Sequence, residues 1–333
     1  MGIGARNPRY EVVFFDLYGT LIDIRTDEQS EAAWQALYDC VTELGAQYES
    51  VDVMRDQFEK LEAREMVHQA DRAIVRNGWD EFDILPVYRS LLMNRSEEAE
   101  KKLALPQAAL KAAWAFRQGS TSLFRLYPGA LDMIEQLQDA GMVVALLSNA
   151  QACYTRPELE ETGLASVLDD VIISSEEKIR KPARDLYMLA LDREFVTAKH
   201  ALMVGNDERN DIIGANAAGL DAAYFRTEIS PALKSFGITF LSASALIISS
   251  GSVFAAVSAI TSLLRTLPDR YSSAVTYFAG SDWGILKITP CKSRISSACS
   301  LPVSFAINGK STQAFSPMEI ARASLAVSTE VTA

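Results

Sequence analysis

Asp16, Ser148, Asn149, Lys181, Asp207 and Asp211 are the residues whose types and spacing are suited to chemistry, and each lies at or just beyond the end of a short apolar run. Asp16 closes the run in "EVVFFDLYGTLID" and is followed by a tight turn through Gly19 and Thr20. A carboxylate beside exposed backbone amides suits a nucleophile attacking a group whose oxygens need hydrogen bonds. Ser148 can donate a hydrogen bond and Lys181 can neutralise developing anionic charge. Asp207 and Asp211, four residues apart in "GNDERNDIIGA", offer oxygen donors of the kind Mg²⁺ selects when it keeps several waters. Read alone, the same pair is a helix N-cap with a negative first turn.

The elements that must position these residues are legible as an alternation. From residue 126 to 227 apolar runs at 142–149, 171–175, 201–207 and 222–227 read as strands. The segments "PGALDMIEQLQDAG" and "KPARDLYMLALDREF" read as helices between them, the first with Pro128 near its start and Gly141 just past its end. Strands joined by helical crossovers make a parallel sheet, and the opening run supplies its first strand. In such a sheet the carboxyl ends converge on one crevice, where ligands bind. The fold class expected is therefore α/β, a doubly wound, Rossmann-like parallel sheet.

About one hundred residues separate the first strand from the second. In "SEAAWQALYDCVTELG" and "MRDQFEKLEARE" apolar side chains recur at three- and four-residue steps, as at Met54, Phe58 and Leu61, which predicts helices. The expected organisation is a core of residues 1–23 and 126–232, a helical cap of residues 24–125, and an atypical extension of residues 233–333. Trp34, Trp79 and Trp114 are read as core packing of the inserted helices.

The extension differs in composition. Residues 1–232 hold 63 charged residues and residues 233–333 only 12, with 20 serines. No clear helix or strand period runs through it, so it reads as loosely packed or poorly ordered. A shifted reading frame would produce such a change. Residues 235–264 carry no charge, a length that exceeds the roughly 20 apolar residues a membrane span needs, but their many serines argue against spanning.

Composition narrows the function classes. With 333 residues, 49% of them hydrophobic and 23% charged, the chain is expected to fold into more than one unit. A net charge of −11 argues against a nucleic-acid surface and for a small-molecule partner. Four cysteines without metal-ligand spacing, and a start lacking an apolar leader core, fit a reducing cytoplasm. His68 and His200, the two histidines, are too few for a zinc site or a histidine-centred triad.

The order "DLYGTL", "LLSN", "RKP" and "GND...D" resembles the haloacid dehalogenase-like hydrolase superfamily over residues 12 to about 230, and the insertion resembles that superfamily's helical cap of the first type. The resemblance implies Asp16 as a nucleophile that becomes a covalent aspartyl intermediate, with Thr20 supporting the turn and Asn149 beside the bound substrate. Ser148 and Lys181 would hold the transferring group. Mg²⁺ would sit on Asp16, the main-chain carbonyl of Tyr18, Asp207 and Asp211, and either Asn206 or Asp207 takes the first acidic place of the last motif. Tyr18 stands where phosphatases of this superfamily usually carry an aspartate. A phenol with a pKa near 10 is a poor proton shuttle at neutral pH. Haloacid dehalogenases of the superfamily carry tyrosine there, and halide needs no proton to leave. The acidic pair argues the other way, since a cation offsets the repulsion between a phosphoryl group and Asp16. The expectation is an Mg²⁺-dependent phosphatase of a small phosphorylated metabolite. The alternatives are a metal-independent 2-haloacid dehalogenase, with Arg25 or Arg72 as candidate halide ligands, or a catalytically weak binding protein.

Overall fold

The computed structural model describes residues 10–72 and 78–231, together with five strands of the C-terminal extension. In chain order come β1 (Val12–Phe15), β2 (Ile22–Thr26), α1 (Glu31–Glu43), α2 (Val51–Arg72), α3 (Leu85–Leu91), α4 (Glu97–Lys102), α5 (Leu105–Ser120) and β3 (Thr121–Leu126). Then follow α6 (Ala130–Asp139), β4 (Val143–Ser148), α7 (Ala152–Thr162), α8 (Leu164–Val167), β5 (Asp170–Ile173), α9 (Ser174–Glu177) and α10 (Arg184–Arg193). After β6 (Ala201–Gly205) a π-helical turn over Glu208–Ile213 runs into α11 (Gly214–Ala218) and β7 (Asp221–Arg226).

Five parallel strands stand in the order β5-β4-β1-β6-β7, so β1 is central and pairs with β4 through Val12↔Val143 and with β6 through Val12↔Ala201. All four β1 residues are buried. Val13 and Phe15 pack on one face with Met133, Ile134 and Leu137 of α6. Val12 and Phe14 pack on the other with Leu186, Tyr187 and Ala190 of α10. Successive strand residues face opposite sides, so a sheet covered on both faces needs an unbroken apolar run. This is the α/β, Rossmann-like architecture expected.

The insertion leaves and re-enters the core through an antiparallel hairpin, β2 against β3, with Ile22↔Leu126 and Arg25↔Leu123 in register. Its helices bury a core of their own. Ser30 caps α1 by accepting from the Ala33 amide, which starts the helix two residues before its apolar stripe. Trp34, Leu37, Met54, Phe58, Val87, Tyr88, Ala112 and Phe116 form the interior. Trp34 meets Phe58 and Phe116 edge-on at centroid separations of 5.4 and 5.0 Å, the geometry that aligns a ring's positive edge with another's negative face. Cys153 and Tyr154 of α7 join this cluster, and the Tyr88 and Tyr154 hydroxyls lie 2.6 Å apart. Met54, Phe58 and Leu61 are all buried. Trp79 is half-buried between the guanidinium groups of Arg180 and Arg209.

In the extension, β8 (Ala245–Ser249) pairs in parallel with β7. Four further strands, β9 (Val275–Ala279), β10 (Asp282–Ile288), β11 (Val303–Ile307) and β12 (Lys310–Phe315), form an antiparallel sheet. Strands of five to seven residues are too short to impose a period on a hundred-residue stretch. The rest of the extension, including most of the uncharged run at 235–264, lies outside the described residues. Among the described residues no helix is long and apolar enough to cross a membrane.

Candidate active site

β1, β4 and β6 end side by side, and their carboxyl ends carry Asp16, Ser148 and the Gly205–Asn206 pair. The Asp16 amide continues the ladder by donating to the Val204 carbonyl at 2.9 Å. The chain then folds back, with the amides of Thr20, Leu21 and Ile22 all donating to the Leu17 carbonyl. Gly19 has φ +78°, and a Cβ there would come within 2.0 Å of the Asn206 amide nitrogen. Glycine is thus required twice over, for the left-handed turn and for the close approach of β6. Gly205 is required for contact alone, because a Cβ there would lie 2.2 Å from Asp211 Oδ2.

Three charges and a hydroxyl meet inside this frame. Lys181 Nζ donates to Asp16 Oδ1 at 2.9 Å and to Asp211 Oδ1 at 2.6 Å, and Ser148 Oγ donates to Asp16 Oδ1 at 3.2 Å. The Lys181 and Asp211 side chains are each 1% exposed and that of Asp16 is 12%. Burial works against the Lys181 charge, but the carboxylates of Asp16 and Asp211 outweigh it and hold the ammonium's pKa above its ordinary value. Burial pushes the Asp211 carboxyl up, and Lys181 pulls it back. With both carboxyls ionised, two carboxylates against one ammonium leave one negative charge in excess.

Asn149 sets the place of Lys181. Its side-chain oxygen accepts from the Lys181 amide at 2.8 Å and its nitrogen donates to the Lys181 carbonyl at 2.9 Å. The Asn149 side-chain amide thus bonds the Lys181 main chain through both of its ends. Thr20 Oγ1 is buried without a hydrogen-bond partner among the described residues, which leaves it available to a ligand oxygen or to Asp16.

In the last motif Asn206 and Asp207 occupy different places. Asp207 is the N-cap of the π-helical turn. Its Oδ1 accepts from the amides of Arg209 and Asn210 at 2.9 and 3.0 Å, and its Oδ2 accepts from Asn210 Nδ2 at 2.8 Å. Both Asp207 oxygens are thus engaged within the turn, as both Asp211 oxygens are by Lys181 and the Asp207 amide. Asn206, 5% exposed, takes the inward place against Gly19. Asp211 Oδ2 accepts the Asp207 amide at 2.8 Å. Among the described residues no three His, Cys, Asp or Glu side chains form a metal-holding group. The donors Asp16 and Asp211, with the Asn206 amide, still suit Mg²⁺, which takes one or two carboxylates and fills the rest of its shell with water.

Tyr18 turns away from this cluster. Its hydroxyl donates to Glu158 Oε2 and lies 2.9 Å from Thr155 Oγ1, both on α7. Arg117 Nε of α5 donates to Glu158 Oε1 at 2.6 Å, and its guanidinium stands 5.4 Å from the centre of the Tyr18 ring. Burial, then the Glu158 charge, drive the phenol's pKa far above its ordinary value. Glu158 and Arg117 escaped the sequence reading. The available signals were an arginine in the apolar stripe of Ala109, Ala112, Ala113 and Phe116, and a glutamate just after Pro157 within a helix. Arg25 is engaged by Asp23 and Glu228, the Arg72 side chain is outside the described residues, and His68 and His200 pair with Glu65 and Glu11 at the surface.

A family model described as haloacid dehalogenase-like hydrolase matches residues 10–219. A ribulose-1,5-bisphosphate 5-phosphatase of Halopiger xanaduensis is 34% identical over 41% of this chain and 57% of its own length. A phosphoglycolate phosphatase of Vibrio cholerae is 27% identical over 63% of this chain and 81% of its own. The (S)-2-haloacid dehalogenase 4A of Burkholderia cepacia is 26% identical over 65% and 83%. This chain thus spans little more than half the length of the first of these relatives. With the family match covering well over half of the chain and the motif residues gathered at the ends of β1, β4 and β6, the protein belongs to the haloacid dehalogenase-like hydrolases.

Proposed function

We propose that this hydrolase is a phosphatase of small phosphorylated metabolites, working through a covalent intermediate on Asp16. The observation that carries the reading is the convergence of Ser148 and Lys181 on one oxygen of Asp16. One carboxylate oxygen is held and the other is left to attack. Asp16 attacks phosphorus, the bond to the leaving oxygen breaks with its electron pair on that oxygen, and water then displaces the carboxylate from phosphorus, the proton that the water gives up matching the one that the leaving oxygen takes from solvent. Lys181, Ser148 and the unpartnered Thr20 hydroxyl are the groups suited to the equatorial phosphoryl oxygens. The excess negative charge of the cluster would repel a phosphoryl group, which favours a cation. Asp16, the Tyr18 carbonyl and Asp211, with Asp207 or Asn206 of the same turn, would hold Mg²⁺, whose charge would offset that repulsion. The inserted helices act as the cap over the site, and the names of the phosphatase relatives support the substrate class.

A second reading, dehalogenation of a 2-haloacid, is favoured by one observation: the Tyr18 hydroxyl is committed to Glu158 and offers no proton to a leaving group. Halide needs none. Hydrolysis of p-nitrophenyl phosphate with Mg²⁺ and with a chelator, and chloride release from 2-chloropropionate, separate the two. Mg²⁺-dependent phosphate release is the expected result. Chloride release that survives chelation, without phosphate release, would replace the first reading with the second.

A further inference from the structure

Arg117 and Glu158 form an ion pair whose side chains are only 9% and 2% exposed. Buried pairs of this kind contribute little net stability, and volume-matched apolar replacements are often neutral or stabilising. Their placement is more informative. Arg117 comes from α5 of the insertion, Glu158 from α7 of the core, and the group they enclose is the side chain of Tyr18, two residues after Asp16. Glu28, at 3.9 Å, is the other carboxylate facing Arg117, and the Tyr154 ring lies 5.3 Å from its guanidinium. The Arg117 carbonyl is itself fixed, since Ser120 Oγ and Thr121 Oγ1 donate to it at 2.8 and 2.7 Å where α5 passes into β3. Arg117 is thus fixed at the end of α5, and it meets Tyr18 through Glu158 of α7.

We infer that Arg117 and Glu158 are positioning residues that hold the Asp16–Thr20 turn in its reactive geometry through Tyr18, so that the turn is ordered only while α5 is docked on α7. Neither residue touches the reacting atoms. The kinetic arm of the test rests on the reading of Asp16 as nucleophile, whichever bond it attacks; the exchange arm does not.

The test is the double variant Arg117→Met/Glu158→Leu, which removes both charges at similar volume, with two readouts on the whole chain. Amide hydrogen exchange at Thr20, Leu21 and Ile22, which report the turn, is expected to quicken at least about tenfold, while Leu37 and Ala112 inside the inserted helices keep their protection. The kcat on the substrate that wild type turns over is expected to fall about 10²-fold, the scale of an ångström-sized misplacement, with KM unchanged. Turn amides that exchange at the wild-type rate would overturn the inference, as would a loss confined to KM or an unchanged kcat. If wild type turns over neither substrate, the reading of function fails and the exchange arm alone decides. Tyr18→Phe, which removes the hydroxyl that Glu158 holds and leaves the Arg117–Glu158 pair in place, replaces the double variant should that fail to fold and is judged by the same readouts.

Discussion

Lys181→Met is expected to be the most destabilising single change at the site and to abolish turnover. It leaves Asp16 and Asp211 facing each other without the ammonium that bonds both at 2.9 and 2.6 Å. Breaking a buried ionic group by removing one partner costs about 3–5 kcal/mol. The loss has a definite pH signature. Without Lys181 one carboxyl must stay protonated in the folded protein, so its folded pKa lies above its unfolded value. The folded state then binds more protons, and the variant loses stability as pH rises from the acid range towards neutrality. In wild type the Asp211 carboxyl is also raised by burial, but Lys181 pulls it back, so the same loss is expected to be smaller than in the variant. Urea denaturation of both proteins across this range checks it, and Lys181→Met/Asp211→Leu should recover stability while remaining inactive.

The second large effect separates chemistry from folding. Asp16→Asn keeps the shape of the side chain, and Lys181 retains Asp211 as a partner, so the stability cost is expected to be small. Turnover is expected to drop by roughly 10⁴-fold or more, the scale on which loss of a covalent nucleophile acts. Parallel urea melts and initial rates test both halves. A variant that keeps more than about a tenth of the wild-type rate would leave Asp16 a structural carboxylate, since such a loss is too small for a nucleophile. Tyr18→Asp, by contrast, is not a simple restoration of a missing acid. It would set a second carboxylate beside Glu158, whose side chain is 2% exposed, and it is informative only together with Glu158→Gln.

Particular residues show why some of this was legible in the sequence and some was not. Val12–Phe15 reads as a buried strand because a sheet covered on both faces requires apolar residues without interruption. Asp16, Ser148, Lys181 and Asp211 could be gathered in advance because strand ends in a parallel sheet share one edge. The choice between Asn206 and Asp207 could not be made. Adjacent residues at a strand-to-helix turn point in different directions, and the sequence does not state which of them caps the turn. The hairpin partner β3 was hidden because "TSLFRL" follows α5 without a break. Arg117 and Glu158 were beyond reach for another reason: they are 41 residues apart in the chain and meet only because α5 docks on α7.

The account stands on Asp16 forming a bond to phosphorus. Acid quenching during turnover of a phosphorylated substrate, followed by mass analysis of the peptide containing Asp16, tests this directly. The account expects that peptide to carry the mass of one phosphoryl group, at a level that falls as substrate is consumed. An unmodified peptide while phosphate accumulates, or a peptide that acquires only an alkyl ester when the protein is offered a 2-haloacid, would contradict it.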